Sequence, residues 1–273
     1  MDKKLEKKLN DFAQSEKNIT ILTGAGISAE SNIPTFRGKE GYWTIGSKEY
    51  HPQEMATYQM FMKSPDEVWK WYLYRLSICK QAKPNKGHIS CAKMEKYFPD
   101  RFKLITQNVD NLHLRAGNSL KNTFQIHGNI FFMRCANECS TKISKVPELP
   151  EKKKGAELTE KERQLLICPD CGKIARPHVL WFDEVYDEQF YYFHSSLKVA
   201  SQTDLLIIVG TSGATNLPNQ IAHEVARHNG IIIDINIEKN SFSHLALQSS
   251  NGYFIKQPGS IALYQIFQAL KKT

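Results

Sequence analysis

Four of the six cysteines fall into two pairs, Cys135-Ala136-Asn137-Glu138-Cys139 and Cys168-Pro169-Asp170-Cys171-Gly172. Paired thiolates at such spacing supply the closed tetrahedral shell of a structural zinc, and three residues inside the first pair is within the range such knuckles use. With four protein ligands no position stays open for a catalytic water, so this metal is expected to organise the chain and not to react. The rival reading is a redox pair or free thiols. The stretch between the pairs is highly charged, with Glu151-Lys152-Lys153-Lys154 and Glu160-Lys161-Glu162-Arg163, and has no room for a core of its own. Something other than burial must hold it, and metal binding supplies that energy. Cys79 and Cys91 fall outside the pattern and read as small core residues.

A second group of residues suits an anionic ligand. Thr23-Gly24-Ala25-Gly26-Ile27-Ser28-Ala29 follows an apolar run and leads into a helix expected to be capped by Ser28 or a neighbour. Glycines there let the backbone approach a pyrophosphate whose charge the helix N-terminus favours. The third glycine of the usual dinucleotide fingerprint is missing, so this Gly-x-Gly alone fits an ordinary strand-to-helix turn equally well. Ile33-Pro34-Thr35-Phe36-Arg37-Gly38 adds a ring and a guanidinium beside the loop, where arginine can pair with phosphate.

Polar residues recur after other apolar runs: Gln107-Asn108-Val109-Asp110-Asn111-Leu112-His113, then Gly210-Thr211-Ser212, then Asn236-Ile237-Glu238. Each could be a turn or a cap, the commoner fate of such residues. Together they could bond ribose hydroxyls and a carboxamide. His127-Gly128 ends another short run, Thr123-Phe124-Gln125-Ile126. A histidine at a strand end beside a dinucleotide site can accept a proton near neutral pH, which makes His127 the candidate general base.

The elements that must position these residues follow from hydropathy. Asn18 to Thr23, Phe102 to Thr106, Leu205 to Val209 and Ile231 to Ile235 are short β-branched runs without alternation. That is the pattern of strands covered by helices on both faces, so the spacing predicts an α/β fold with a doubly wound parallel sheet. Ligands of such sheets bind beyond the carboxyl ends of the strands, where the polar residues above fall. Between the first two runs, Val68, Trp69, Tyr72 and Leu76 recur at helical spacing within Glu67 to Ile78 and predict a helical insertion.

Bulk properties exclude several classes. The 273 residues are 41% hydrophobic, with no apolar run long enough for a membrane-spanning helix. The charged start, Met1-Asp2-Lys3-Lys4, is unlike a secretory signal, so a cytoplasmic protein without a membrane partner is expected. The net charge of +8 comes from lysines interspersed with acids and no arginine-rich tract, which argues against nucleic acid as a partner.

In order along the chain, Gly24-Ala25-Gly26-Ile27-Ser28, Ile33-Pro34-Thr35-Phe36-Arg37-Gly38, Gln107-Asn108-Val109-Asp110, His127-Gly128, the two cysteine pairs, Gly210-Thr211-Ser212 and Asn236-Ile237-Glu238 closely resemble the sirtuins, the NAD-dependent protein-lysine deacylases. The likeness runs from about Asn18 to the C-terminal helix. It implies one catalytic domain with a Rossmann-type large lobe, about 1–40, 84–130 and 177–273, and a small lobe with a helical module, about 41–83, and a zinc-ribbon-like module, about 131–176. It implies NAD as co-substrate, acyl-lysine proteins or peptides as partners, and a monomer. Gly24, Ala25, Phe36 and Arg37 would hold phosphates and the nicotinamide ribose, with Gly26 also among the cofactor-binding residues, while Ile33 and Asp110 would receive the carboxamide. Gln107 and Asn108 would contact ribose or water. Gly210, Thr211, Ser212, Asn236 and Glu238 would serve the adenosine half. The acyl oxygen would attack the anomeric carbon, nicotinamide would leave, and His127 would deprotonate a ribose hydroxyl that attacks the imidate.

Tyr72 and Arg75, within Trp69-Lys70-Trp71-Tyr72-Leu73-Tyr74-Arg75, look like the Tyr-x-x-Arg signature of sirtuins that remove succinyl or malonyl groups, and Val179, Trp181 and Phe182 resemble their substrate-binding strand. At i and i+3 the pair shares a helical face, where the guanidinium could meet a distal carboxylate. The bland alternative is a packed tyrosine and an exposed arginine. Three departures stand out: Asn32 replaces a frequent glycine, Asp183 replaces the glycine expected after Trp-Phe, and Gly213 to Pro218 is one residue longer than usual. Rival functions are an NAD glycohydrolase or ADP-ribosyltransferase, and a zinc-ribbon nucleic-acid-binding NAD sensor.

Overall fold

The computed structural model describes residues 2–34 and 43–271. These contain, in chain order, β1 (Ile19–Thr23), β2 (Trp43–Ile45), β3 (Lys48–Tyr50), β4 (Phe102–Thr106), β5 (Thr123–Gln125), β6 (Gly128–Cys135), β7 (Ile143–Lys145), β8 (Ala175–Val179), β9 (Leu205–Val209), β10 (Ile231–Asn236) and β11 (Gly252–Lys256). Six strands lie in the order β11-β10-β9-β1-β4-β5, every pair parallel.

The four apolar runs become β1, β4, β9 and β10, and alternation along each strand divides their residues between two cores. Ile19, Ile21, Leu205, Ile207 and Val209 pack beneath the helices Lys3–Ala13, Lys86–Tyr97 and Gly259–Lys271. Leu22, Ile105, Leu206 and Ile208 pack beneath Asn216–Arg227 and Ser241–Gln248. Helices therefore cover both faces, as the unalternating runs require. From β1 the chain proceeds to β4 and β5 on one side and then returns to β9, β10 and β11 on the other. The strand order reverses at β1, and the crevice past the carboxyl ends of β1 and β9 is the topological switch point.

A second layer is the antiparallel sheet β7-β6-β8, joined to a helix that runs from Pro65 to Gln81. Proline opens that helix and Asp66 and Glu67 sit in its first turn, which suits its orphan N–H groups and dipole. Its Val68, Trp69, Trp71, Leu73 and Leu76 are buried in one cluster with Leu158, Leu166 and Ala175. Burial does contribute to the charged segment, contrary to expectation: Leu158 and Leu166 lodge against the helix, with Val146 and Leu149 beside them. Two ion pairs complete the attachment, Lys70 to Glu157 at 2.8 Å and Arg163 to Asp66 at 2.7 Å, and a third, Lys152 to Glu162 at 2.7 Å, braces the segment internally. The segment has no core of its own because it borrows the helix's. β8 runs across residue 176, where the sequence suggested one lobe would end. Cys79 and Cys91 are buried in separate cores, as their isolation predicted. Among the described residues no helix is long and apolar enough to cross a membrane.

Candidate active site

The glycine loop lies at the switch point, yet its glycines have another reason to be there. The helix Ala25–Ala29 begins with Gly24 at its N-cap and no side-chain cap. Gly24 N–H donates to Val209 O at 3.0 Å and Gly26 N–H to Gly210 O at 2.7 Å. A Cβ on Gly26 would lie 2.6 Å from Gly210 Cα, and one on Gly24 would lie 2.6 Å from Thr211 Cβ. The glycines let two strand-end loops touch backbone to backbone. Gly26 spends its N–H on Gly210, and Ser28, expected as the cap, is inside the helix.

Ser28 instead joins a buried polar layer beneath the loop. Its hydroxyl donates to Asp110 Oδ2 at 2.7 Å and accepts from Asn108 Nδ2 at 3.0 Å. Asn108 Nδ2 also reaches Gly24 O at 3.1 Å, and Asp110 Oδ1 takes the Leu112 N–H at 2.8 Å. Burial pushes the Asp110 carboxyl above its ordinary range, opposed first by the Ser28 hydrogen bond. His88 Nε2 lies 3.3 Å from Ser28 Oγ, and His113 Nε2 lies 2.9 Å from Thr23 Oγ1. Burial lowers His88 to about 4 and His113 well below the usual imidazole range. The strand-end groups are thus caught in one another's hydrogen bonds. Sequence reasoning missed Ser28, His88 and His113 as members, since nothing in spacing relates positions 28, 88 and 110.

Across the crevice, Gln107 Nε2 donates to Thr211 Oγ1 at 2.9 Å and its Oε1 accepts from Thr215 Oγ1 at 3.0 Å. Asn236 Nδ2 donates to Thr211 O at 2.8 Å. Ser212 is half-buried and Glu238 is exposed past the end of β10. Ile33 is buried and joins the core of the Pro65–Gln81 helix. Phe36 and Arg37 lie outside the described residues.

His127 stands between β5 and β6, half-buried. A Cβ on the next residue, Gly128, would come within 2.2 Å of His178 O, and its φ is +80°. Only glycine fits that turn. His127 Nε2 lies 2.7 Å from the Tyr186 hydroxyl. Burial lowers its pKa to about 4, opposed by hydrogen bonding of the ring to the main chain of Gln107. The ring is therefore neutral at pH 7 and able to accept a proton. Tyr186 carried no signal in the sequence.

The chain past β8 ties His127 to the aromatic helix. Leu180 N–H donates to His127 O at 3.0 Å, Trp181 Nε1 donates to the Tyr72 hydroxyl at 2.9 Å, and Phe182 N–H donates to Ala56 O at 2.9 Å. Val179 and Trp181 are buried and Phe182 is exposed. The Trp181 indole lies against the Arg176 guanidinium, 3.5 Å from its ring centre, and against Phe61. Its ring is committed to packing, and its backbone to Glu184: the N–H donates to Glu184 Oε2 at 2.9 Å and the carbonyl accepts from Glu184 N at 3.1 Å. Arg75 is 6% exposed, which removes the bland alternative of a surface arginine. Its guanidinium lies 5.3 Å from the Trp71 ring, and burial depresses its pKa while the nearby Cys79, Tyr72, Tyr74 and Asp110 favour its charge.

Two departures from the sirtuin pattern find physical reasons. Asn32 has φ +62°, a conformation asparagine tolerates nearly as glycine does. Asp183 accepts from Tyr58 N at 2.7 Å and Gln59 N at 3.1 Å, satisfying from a distant segment the first two N–H groups of the helix Tyr58–Lys63, whose own N-cap Thr57 takes Met60 N. In the longer loop, Asn219 Nδ2 donates to the carbonyls of Gly213 and Thr215, each at 2.7 Å.

The four paired cysteines converge, with all their sulfurs within 4.8 Å of one another. Cys135 and Cys171 Sγ are 3.5 Å apart, and Cys139 and Cys168 Sγ 3.7 Å apart. Zinc bound tetrahedrally at about 2.3 Å from each sulfur would set them about 3.8 Å apart, so the donor set fits a structural zinc.

A model of the Sir2 family matches residues 24–216. A protein of Leptospira interrogans serogroup Icterohaemorrhagiae serovar Lai (strain 56601), named NAD-dependent protein deacylase, is 41% identical over 244 residues, spanning 86% of this chain and 89% of its own. One of the same name from Aquifex aeolicus (strain VF5) is 36% identical over 259 residues, spanning 93% and 96%. Among solved structures, the crystal structure of a Sir2 homologue complexed with NAD matches with a TM-score of 0.81 at 32% identity, covering 100% of this chain and 94% of that one.

Proposed function

Because the chain belongs to the Sir2 family, we propose that it is an NAD-dependent protein-lysine deacylase with His127 as general base and a preference for acidic acyl groups. NAD is the co-substrate. Zinc, held by Cys135, Cys139, Cys168 and Cys171, supplies folding energy to the β6-β7-β8 module and takes no part in the reaction. The loops at the switch point, with Gly24, Ala25, Gly210, Thr211 and Ser212, receive the cofactor's phosphates and adenosine half, and Asn236 and Glu238 flank them. Ile33, Gln107, Asn108 and Asp110 attend the nicotinamide end. The single observation that supports proton abstraction is a neutral imidazole at a strand end beside that crevice. After nicotinamide departs, His127 takes the proton of the ribose hydroxyl that attacks the acyl carbon, leaving free lysine and acyl-ADP-ribose.

The acidic preference is supported by the burial of Arg75 one helical turn from Tyr72. A guanidinium kept from water gains more from a carboxylate than an exposed one does. The residues Leu180 to Phe182 link this pair to His127 through hydrogen bonds on successive positions. The experiment compares acetyl-lysine and succinyl-lysine peptides on the wild type, Arg75→Met and His127→Ala. Desuccinylation should fall about tenfold or more in Arg75→Met, the worth of a charge-assisted hydrogen bond, with deacetylation much less affected. Undiminished desuccinylation defeats the acyl preference, and full activity in His127→Ala defeats the base assignment. Nicotinamide release that needs no peptide would instead indicate an NAD glycohydrolase.

A further inference from the structure

The Tyr72 hydroxyl is buried on the helix Pro65–Gln81, and the group it meets there comes from a segment 109 residues away. That group is the indole of Trp181, whose Nε1 lies 2.9 Å from the phenol oxygen. An indole N–H can only donate, so the direction of this bond is fixed and the Tyr72 oxygen accepts. The phenol's own proton is left over. Among the described residues none accepts it. Burial raises the Tyr72 pKa, outweighing the Trp181 hydrogen bond that lowers it, so the proton stays on the oxygen at neutral pH. A buried hydroxyl donor without an acceptor is costly until a ligand supplies one.

Trp181 cannot turn away from the phenol. The Arg176 guanidinium lies 3.5 Å from its ring centre, and the indole packs against Phe61 and Tyr58 with ring centres 5.2 and 6.2 Å away. Arg176 is 1% exposed and is itself gripped as a fork: both of its terminal nitrogens donate to the Glu184 carboxylate, and Nη2 also donates to Val179 O at 3.0 Å. The same carboxylate takes the Trp181 main-chain N–H. Ring and backbone of Trp181 are thus fixed by one buried ion pair just past β8, with Nε1 aimed at Tyr72.

We propose that Trp181 is a positioning residue for acyl selection: its indole N–H holds the Tyr72 oxygen as an acceptor and so presents the phenol proton as a donor to a distal carboxylate of the acyl chain. The inference rests on the acidic-acyl reading of Tyr72 and Arg75 above. These two stand at i and i+3, so a carboxylate that pairs with the guanidinium meets the phenol on the same helical face. An ionised carboxylate has only lone pairs to offer and needs donors, whereas an unconstrained hydroxyl presents its proton or its lone pairs alike. Trp181 removes the second choice. An acetyl group has no oxygen beyond its carbonyl and gains nothing from the device.

The test is Trp181→Phe, which keeps an aromatic ring against Arg176 and Phe61 and deletes the N–H, assayed in the zinc-loaded protein with NAD and with succinyl-lysine or acetyl-lysine peptides. The succinyl-to-acetyl ratio of kcat/KM should fall about fivefold, the worth of a single hydrogen bond, with the excess loss appearing in KM for the succinyl peptide. In a Tyr72→Phe background, where no hydroxyl remains to be aimed, Trp181→Phe should leave that ratio where Tyr72→Phe alone puts it. Benzothienylalanine at position 181, in which sulfur replaces the N–H within a bicycle of the same size, should reproduce the loss, and it carries the test if the phenylalanine variant does not fold. Equal falls with both peptides overturn the proposal, since they report damaged packing. An unchanged ratio overturns it too, as does a further drop in the Tyr72→Phe background. If Arg75→Met and Tyr72→Phe both desuccinylate as the wild type does, the acidic-acyl reading itself has failed. If both lose desuccinylation and Trp181→Phe keeps it, only the role of Trp181 has.

Discussion

The parallel sheet and the four-cysteine module solve the same problem by different means. In β1 and β9 all five residues of each strand are buried, and the two faces feed separate cores. In β7 the flanking residues Ile143 and Lys145 are exposed, and the charged segment beyond depends on thiolates, three ion pairs and two leucines lodged in a neighbour's core. Where the chain is rich in β-branched residues, burial is sufficient and non-directional. Where it is rich in Lys and Glu, stability draws on directional bonds as well as on that borrowed burial, and the thiolate site is the strongest of them.

That contrast breaks most visibly on metal removal. Chelation at neutral pH, or Cys168→Ala, should withdraw on the order of 10 kcal/mol of folding energy from the module, abolishing deacylation. Amide exchange should then accelerate across 135–175 while 205–209 stay protected. Equal loss of protection in both regions would mean the two are one cooperative unit.

The reciprocal change is Gly26→Ala, which sets a methyl 2.6 Å from Gly210 Cα. Backbone cannot give way there as a side chain can, so a loss of about 3 kcal/mol is expected in the sheet region. Calorimetry should show weakened NAD binding with zinc content unchanged.

Acid should act on the sheet side through His88 and His113, whose rings lie 4.8 Å apart. His88 falls from 6.5 to about 4 on folding. Between those values the unfolded chain holds more protons than the folded one, so stability should be full above about pH 6.5 and decline as pH drops toward 4. Denaturant midpoints measured across that range check this, and a flat profile would show that the buried pair does not limit acid stability.

The smallest effect is expected from Asp183→Gly, which restores the residue the sirtuin pattern leads one to expect. Losing the acceptor of the first two N–H groups of the helix Tyr58–Lys63, which keeps its Thr57 cap, should cost about 1 kcal/mol, read as a lowered melting temperature with zinc retained.

Much of this was legible in one dimension because the signals were local. Unalternating apolar runs announced β1, β4, β9 and β10, and thiol spacing announced the metal site. The edge strand β11 gave no such signal, since its Gly-Tyr-Phe-Ile-Lys is only half-buried and needs no second apolar face. The Asp183 contact was invisible because its acceptor and donors are 125 and 124 residues apart. At the candidate site the residue types were legible and their partners were not. Ser28 read as a helix cap and proved to bind Asp110, and the close approach of Gly26 to Gly210 had no trace in the spacing.

Residue order alone determines the layered α/β architecture and pairs the four cysteines, because hydrophobic period and ligand chemistry are properties of short segments. Whether His127 has a phenol beside its Nε2, whether Arg75 is buried, and which strand-end groups are already satisfied were settled only when distant segments met. Hydrogen bonds and burial depend on distance in space, and no spacing along the chain encodes the 2.7 Å between Tyr186 and His127.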